Sequence, residues 1–339
     1  MKQLFAALKL GLALGVIVST GAQAQEVTLR LHQFLPETSF VPAQILNPWI
    51  AAVEEASGGR IAVEHYPAMQ LGGKPGDLVD QAVDGVVDVI WTLPGYTPGR
   101  FPRSEVFELP FMVEDAEAAS AAFWQMAQGP LAPDFAELHL LGTWVHGPGV
   151  IHANRRIAAP GDLAGLKLRG PSRVTTKVLE QLGATAVGMP VPAVPEALSK
   201  GTIDGALLPW EVSASLKVGE IVRHHTEFAG PSIYTATFIL AMNREAYEAL
   251  PADLQAAIDS VSGAGFSAMA GRVQQGEDIP ARAIAAGLGN EIVTIPAAET
   301  PAWQAAAAPV VEAWVAEARG FDGAALIAAA RAAIAAHRN

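Results

Sequence analysis

The stretch "LAGLKLRGPSRVTTKVLEQLGA" (163–184) sets one arginine, Arg169, at the end of a short apolar strand, directly before a Gly-Pro-Ser turn and a helix. Leucines and cations alternate over Leu166–Arg169, so period-2 geometry turns Leu166 and Leu168 to one face and Lys167 and Arg169 to the other. Ligands of open α/β sheets sit beyond the carboxyl ends of strands. Arg169 is therefore aimed either into a crevice or at an acidic side chain of the same protein. In a crevice its guanidinium fork can hold a carboxylate through two parallel charge-assisted bonds, which lysine cannot reproduce. Rings at comparable strand ends can flank an apolar or aromatic ligand body. The candidates are Trp91 and Tyr96 at and beyond the end of "VVDVIWTL" (86–93), Trp210 after "TIDGALL", His32 and Phe34 at the end of "VTLRLHQF" (27–34), and Tyr234. Core packing is the competing fate of each of these side chains.

Other chemistries lack their residues. "RHHTE" (223–227) has neither H-E-x-x-H nor a comparable ligand spacing, so it reads as a helix end or loop pair rather than a metal site. No G-x-S-x-G elbow, Walker loop or G-x-G-x-x-G fingerprint occurs, and "GGKPGD" (72–77) reads as a turn. The chain has no cysteine, which excludes thiolate nucleophiles, Cys-ligated zinc, disulfides and a lipid-modified cysteine. No cofactor is expected. An enzyme acting on a carboxylate would have to use His32 or Glu211 as its base.

The elements that must position these residues follow a regular order. Residues 1–24 read as a secretory signal peptide: Lys2 and Lys9, an apolar middle, then Ala22-Gln23-Ala24 as the cleavage site. The remaining 315 residues carry 20 basic and 34 acidic side chains, a net charge of −14. That balance argues against a nucleic-acid partner, which would demand a basic stripe. From residue 27 strand and helix patterns alternate as β-α-β-α-β, and the same order recurs after residue 150, which predicts two α/β lobes built on mainly parallel sheets flanked by helices. "LHLLGTWVHGPGVIHAN" and "SIYTATFILAMN" (232–243) read as strands crossing between lobes, and the tract from Pro251 reads as a long helix with glycine interruptions. Two chain crossings make hinge-bending natural.

Five stretches, in order, resemble one family: "EEASGGRIAVEHYPAMQLGG" (54–73), "VFELPFM" (106–112), "HANRRIAAPGDLAGLKLRGPS" (152–172), "LGATAVGMPVPAVPEALSKGTIDGA" (182–206) and "AMNREAYEALPADLQAAI" (241–258). The chain resembles the extracytoplasmic solute-binding proteins of tripartite ATP-independent periplasmic (TRAP) transporters, of the C4-dicarboxylate-binding type. The resemblance implies a two-lobed periplasmic binding protein fold, with lobes of 25–147 plus 235–274 and 148–234 plus 275–339, joined by crossing strands and a long helix. It implies a periplasmic receptor that closes over a small organic acid, grips the carboxylate with Arg169, and delivers it to integral membrane permease subunits. Some relatives carry a second arginine near Gly149, and many carry Asn-Pro where this chain has Leu208-Pro209. Without those polar groups a hydroxylated sugar acid would be desolvated unpaired, at about 1–3 kcal/mol per group. An apolar or aromatic monocarboxylate is the expected ligand. A binding protein of an ABC or tricarboxylate-type importer would share the two-lobed plan and is the nearest alternative.

Overall fold

The computed structural model describes residues 25–338, and the predicted signal peptide lies outside them. Eleven strands are distributed over two sheets: β1 (Val27–His32), β2 (Ile61–Tyr66), β3 (Val89–Thr92), β4 (Leu138–Val145), β5 (Val150–Ala153), β6 (Lys167–Gly170), β7 (Thr185–Gly188), β8 (Gly205–Leu208), β9 (His224–Phe228), β10 (Thr237–Asn243) and β11 (Glu291–Ile295). One sheet has the order β2–β1–β3–β10–β4, the other β11–β9–β5–β8–β6–β7. The central strands β10 ("TFILAMN") and β8 ("GALL") are buried along their whole length, as continuous apolar runs covered on both faces must be.

The sheets are mixed rather than mainly parallel. β1 pairs in parallel with β2 and β3, and β6 with β7 and β8. By contrast β10 is antiparallel to β3 and β4, and β5 to β8 and β9. The reason lies in the crossings. β3, β4, β8 and β9 run toward the junction between the lobes, whereas a chain that has just crossed enters its new sheet from that junction. β5 and β10 therefore run against their neighbours. "LHLLGTWVHGPGVIHAN" is accordingly two strands, β4 and β5, broken at 146–149.

The tract after Pro251 forms helices Ala252–Ser260, Gly263–Gly276 and Asp278–Gly287. Only Glu277 separates the last two, and it keeps helical angles (φ −74°, ψ −15°). Gly263–Gly276 lies on β4 and helix Ala116–Ala127, while Asp278–Gly287 packs on helix Trp210–Ser215 of the other lobe. The near-continuous helix thus spans both lobes. Helix Thr300–Glu317 packs on Arg173–Gln181, but the C-terminal helix Gly323–His337 returns to the first lobe and lies along Ala116–Ala127. This differs from the expected placement of residues up to 339 in the second lobe. Leu326, Ile327, Ala330 and Ile334 complete the core around Phe123, so the stripe of this alanine-rich helix matches the small-residue surface of Ala116–Ala127.

Candidate functional site

Arg169 is the penultimate residue of β6, at the junction of the lobes, and is 2% exposed. Its Nε donates to the Met189 carbonyl and its Nη1 to the Leu207 carbonyl, both at 2.9 Å, which locks the guanidinium plane. Its Nη2 is buried with no protein partner. Burial works against the charge, and the hydroxyls of Tyr96 and Tyr234 stand near enough to support it; an arginine nonetheless stays protonated. The interlobe ion pair that Arg169 could have made belongs instead to Arg173, which pairs with Glu105 and Glu317. A buried cation held only by two carbonyls costs several kcal/mol unless an anion completes it.

Arg169 lines a cleft between the lobes that is open to solvent, with about 390 Å³ between protein atoms when the solvent at its mouth is included. Its wall from the first lobe is a stack of rings. Phe34 lies on Trp91 at 4.6 Å and 18°, and Trp91 on Phe238 at 5.6 Å and 19°. Tyr96 meets Phe34 edge-on at 5.4 Å, and its hydroxyl accepts from the Val191 amide at 3.0 Å, leaving its proton free to donate. Tyr234 enters from the crossing segment 229–236. A Cβ at Gly149 would fall inside the Tyr234 ring, so the position near which some relatives place an arginine is here bare and filled by a ring. His146, in the other crossing segment, ties the two crossings together: the Ala236 amide donates to its Nε2 at 3.0 Å, and its Nδ1 lies 2.6 Å from the Gly147 carbonyl. Burial pushes its pKa down to about 4, so it is neutral and adds no charge to the cleft. The lining is closed by Leu208, Pro209, Val212, Glu211 and Gln274. Burial pushes the Glu211 carboxyl up to about 8.

A model of bacterial extracellular solute-binding protein family 7 (DctP) matches residues 33–318. The chain belongs to this family. Three solved relatives extend the match. A TRAP solute-binding protein of Rhodoferax ferrireducens T118 with copurified benzoate is 53% identical, with a TM-score of 0.90 over 91% of this chain and 98% of its own. A marine metagenome TRAP protein, specific for aromatic acid ligands and co-crystallised with 3-hydroxybenzoate, is 43% identical, with a TM-score of 0.91 over 93% and 100%. A Bordetella bronchiseptica protein with bound mandelate is 32% identical, with a TM-score of 0.83 over 91% and 99%. This family 7 protein is thus a non-catalytic periplasmic solute-binding protein of the TRAP type, and the ABC and tricarboxylate importer readings are set aside.

Of the residues singled out in the sequence of this receptor, the cleft brings together Arg169, Trp91, Phe34, Tyr96 and Tyr234. Trp210 and His32 lie elsewhere. The Trp210 ring packs with Val150, Ala281 and Ala285, and its Nε1 donates to Glu227 at 3.0 Å. Pro209 turns the chain into a helix, which directs Trp210 back into its own lobe. His32 is fully buried, with Nδ1 2.7 Å from Gln81 Oε1 and Nε2 accepting from the Leu71 amide at 3.3 Å, a satisfied core histidine rather than a base. In "RHHTE", His225 is buried against His152 with Nδ1 atoms 2.7 Å apart, and His224 lies 3.1 Å from Glu291. Among the described residues no three His, Asp or Glu side chains converge as a metal site. His146, Phe238 and Gln274 carried no usable signal in the sequence, because their direction depends on the crossings and the spanning helix. Glu211 did carry one: it lies two residues beyond the Leu208-Pro209 departure.

Proposed function

We propose that this receptor captures an aromatic monocarboxylate of about the size of benzoate and hands it to the integral membrane permease subunits of a TRAP transporter. The observation that carries the reading is Arg169 Nη2, buried and unpartnered in front of the Phe34–Trp91–Phe238 ring wall. In this reading the ligand carboxylate accepts from Nη2 and from the hydroxyls of Tyr96 and Tyr234, while the ligand ring lies against Trp91 and Phe34. Among the described residues Arg169 is the only cation lining the cleft, and His146 is neutral. A C4-dicarboxylate would bury its second charge unpaired, whereas an aromatic acid has only one to place. The aromatic acids bound by the 53%, 43% and 32% identical relatives support the same class. Closure would turn the lobes about 146–149, 229–236 and Glu277. Gly95 faces Ser172 across the junction so closely that an added Cβ would lie 2.6 Å from the serine Cβ, as a contact made on closure requires.

A thermal-shift screen of small carboxylates tests this. A benzoate-type acid at a hundredfold excess over its Kd should add about 2.7 kcal/mol of apparent stability. Stabilisation by succinate or malate and by no aromatic acid overturns the assignment.

A further inference from the structure

Among the described residues, four of the buried side-chain polar atoms without a protein partner lie in this one cleft: Arg169 Nη2, Trp91 Nε1, Tyr234 Oη and Glu211 Oε1. Arg169 and the tyrosines account for a carboxylate, but Glu211 does not belong with them. It sits in the first turn of helix Trp210–Ser215 and is 1% exposed. Its amide donates to Asp278 Oδ1 at 3.1 Å, which fixes the backbone. The side chain is oriented by a directed chain of hydrogen bonds. Trp144 Nε1, which can only donate, points to Gln274 Oε1 at 2.9 Å. That fixes the amide so that Gln274 Nε2 donates to Glu211 Oε2 at 3.1 Å. Oε2 is thereby an acceptor, and Oε1 is left without a protein partner on a residue that lines the cleft. Asp278 and Glu277 lie close enough to oppose a charge there. A second carboxylate beside an anionic ligand would repel it, so the group suited to this position is a neutral carboxyl whose Oε1–H donates.

We infer that Glu211 is a specificity-determining residue that hydrogen-bonds a hydroxyl on the ligand ring, so the receptor prefers hydroxylated aromatic acids to benzoate. This rests on the aromatic-acid reading above. Burying Oε1 against a bare ring leaves it unpaired, whereas a hydroxyl both accepts its proton and fills its place. A site built to pair a ligand hydroxyl rejects the analogue that lacks it far more strongly than an apolar pocket does. The hydrogen-bond chain from Trp144 resists turning Oε1 away, because rotating Gln274 would break the bond to the indole.

The test is isothermal titration of wild type, Glu211→Met and Glu211→Gln with benzoate, 3-hydroxybenzoate and 4-hydroxybenzoate at pH 7, read as the ratio of hydroxybenzoate to benzoate affinity. Wild type is expected to favour one hydroxybenzoate by about tenfold or more. Glu211→Met should bring that ratio to within about threefold of unity. Glu211→Gln should keep the wild-type ratio, since its carbonyl accepts from Gln274 while its amide donates into the cleft. This variant also carries the test if the methionine form does not fold. A wild type that binds benzoate without a hydroxyl preference overturns this inference alone. So does an unchanged ratio in Glu211→Met, or its loss in Glu211→Gln. A wild type that binds no aromatic acid but does bind a dicarboxylate overturns the aromatic-acid reading and this inference together.

Discussion

Arg169, Glu211 and Glu108 are charged or chargeable groups buried where the lobes meet, and Asp278 lies half-buried beside Glu211. Arg169 was legible because period-2 alternation and the strand-end rule need only local geometry. Glu108 and Asp278 were not, and Glu211 only through its place beyond Leu208-Pro209, because the character of these carboxyls comes from burial by distant segments. Burial pushes Glu108 and Asp278 up to about 7 and Glu211 to about 8. Their pKa values are raised in the fold, so the native protein holds protons that the unfolded chain has released, and stability declines as pH rises from about 4 toward 8. Buried His146 and His225 act in the opposite sense. Both are pushed down to about 4, so stability is lost as pH falls below the unfolded value of about 6.5. Above about pH 7.5 the unfolded imidazoles are neutral as well, so there only the carboxyls still change. The ligand-free protein should therefore melt at a lower temperature at pH 8.5 than at pH 7.5 in a calorimetric scan, and Glu211→Gln should flatten part of that slope. A midpoint that rises across this interval contradicts the assignment of these carboxyls as protonated in the fold.

At the scale of elements, "SVSGAGFSAMAG" shows why a run of small residues forms a helix rather than a loop. Glycine in a helix costs about 1 kcal/mol relative to alanine, and here close packing offsets that cost. A Cβ on Gly271 would collide with the Ala116 carbonyl oxygen and Ser120 Oγ. Ser120 cannot yield freely, since its Oγ accepts from the Val145 amide at 3.0 Å. Gly271→Val should therefore lift helix Gly263–Gly276 off Ala116–Ala127 and lower stability by about 1–3 kcal/mol in denaturant unfolding; an unchanged midpoint would mean the two helices do not need this approach. Pattern reading found the tract helical but not its partners. The same limit explains the C-terminal helix and Trp210: alanine repeats and a Trp after Pro state an element and leave open which surface it meets. The reversed strands β5 and β10 were hidden for a related reason, because a sequence does not display the end from which a chain enters a sheet.

At the scale of the whole molecule, the two-lobed plan was legible because strand–helix alternation occurs twice and five family stretches occur in order. The cleft was only partly so, since it is assembled by two crossings, a helix spanning both lobes and the contact of Gly95 with Ser172. All of these bring a ring wall from one lobe to a cation from the other, and a ligand that satisfies both should hold the lobes together. In the proposed function Arg169 is the charge that recruits the ligand. The most direct test of that role is titration calorimetry of benzoate and the hydroxybenzoates into wild type, Arg169→Ala and Arg169→Lys. Heat of binding should disappear in Arg169→Ala and recover little in Arg169→Lys, which lacks the planar fork, while the circular dichroism of both ligand-free variants stays that of a folded protein. Wild-type affinity in a folded Arg169→Ala would contradict the account.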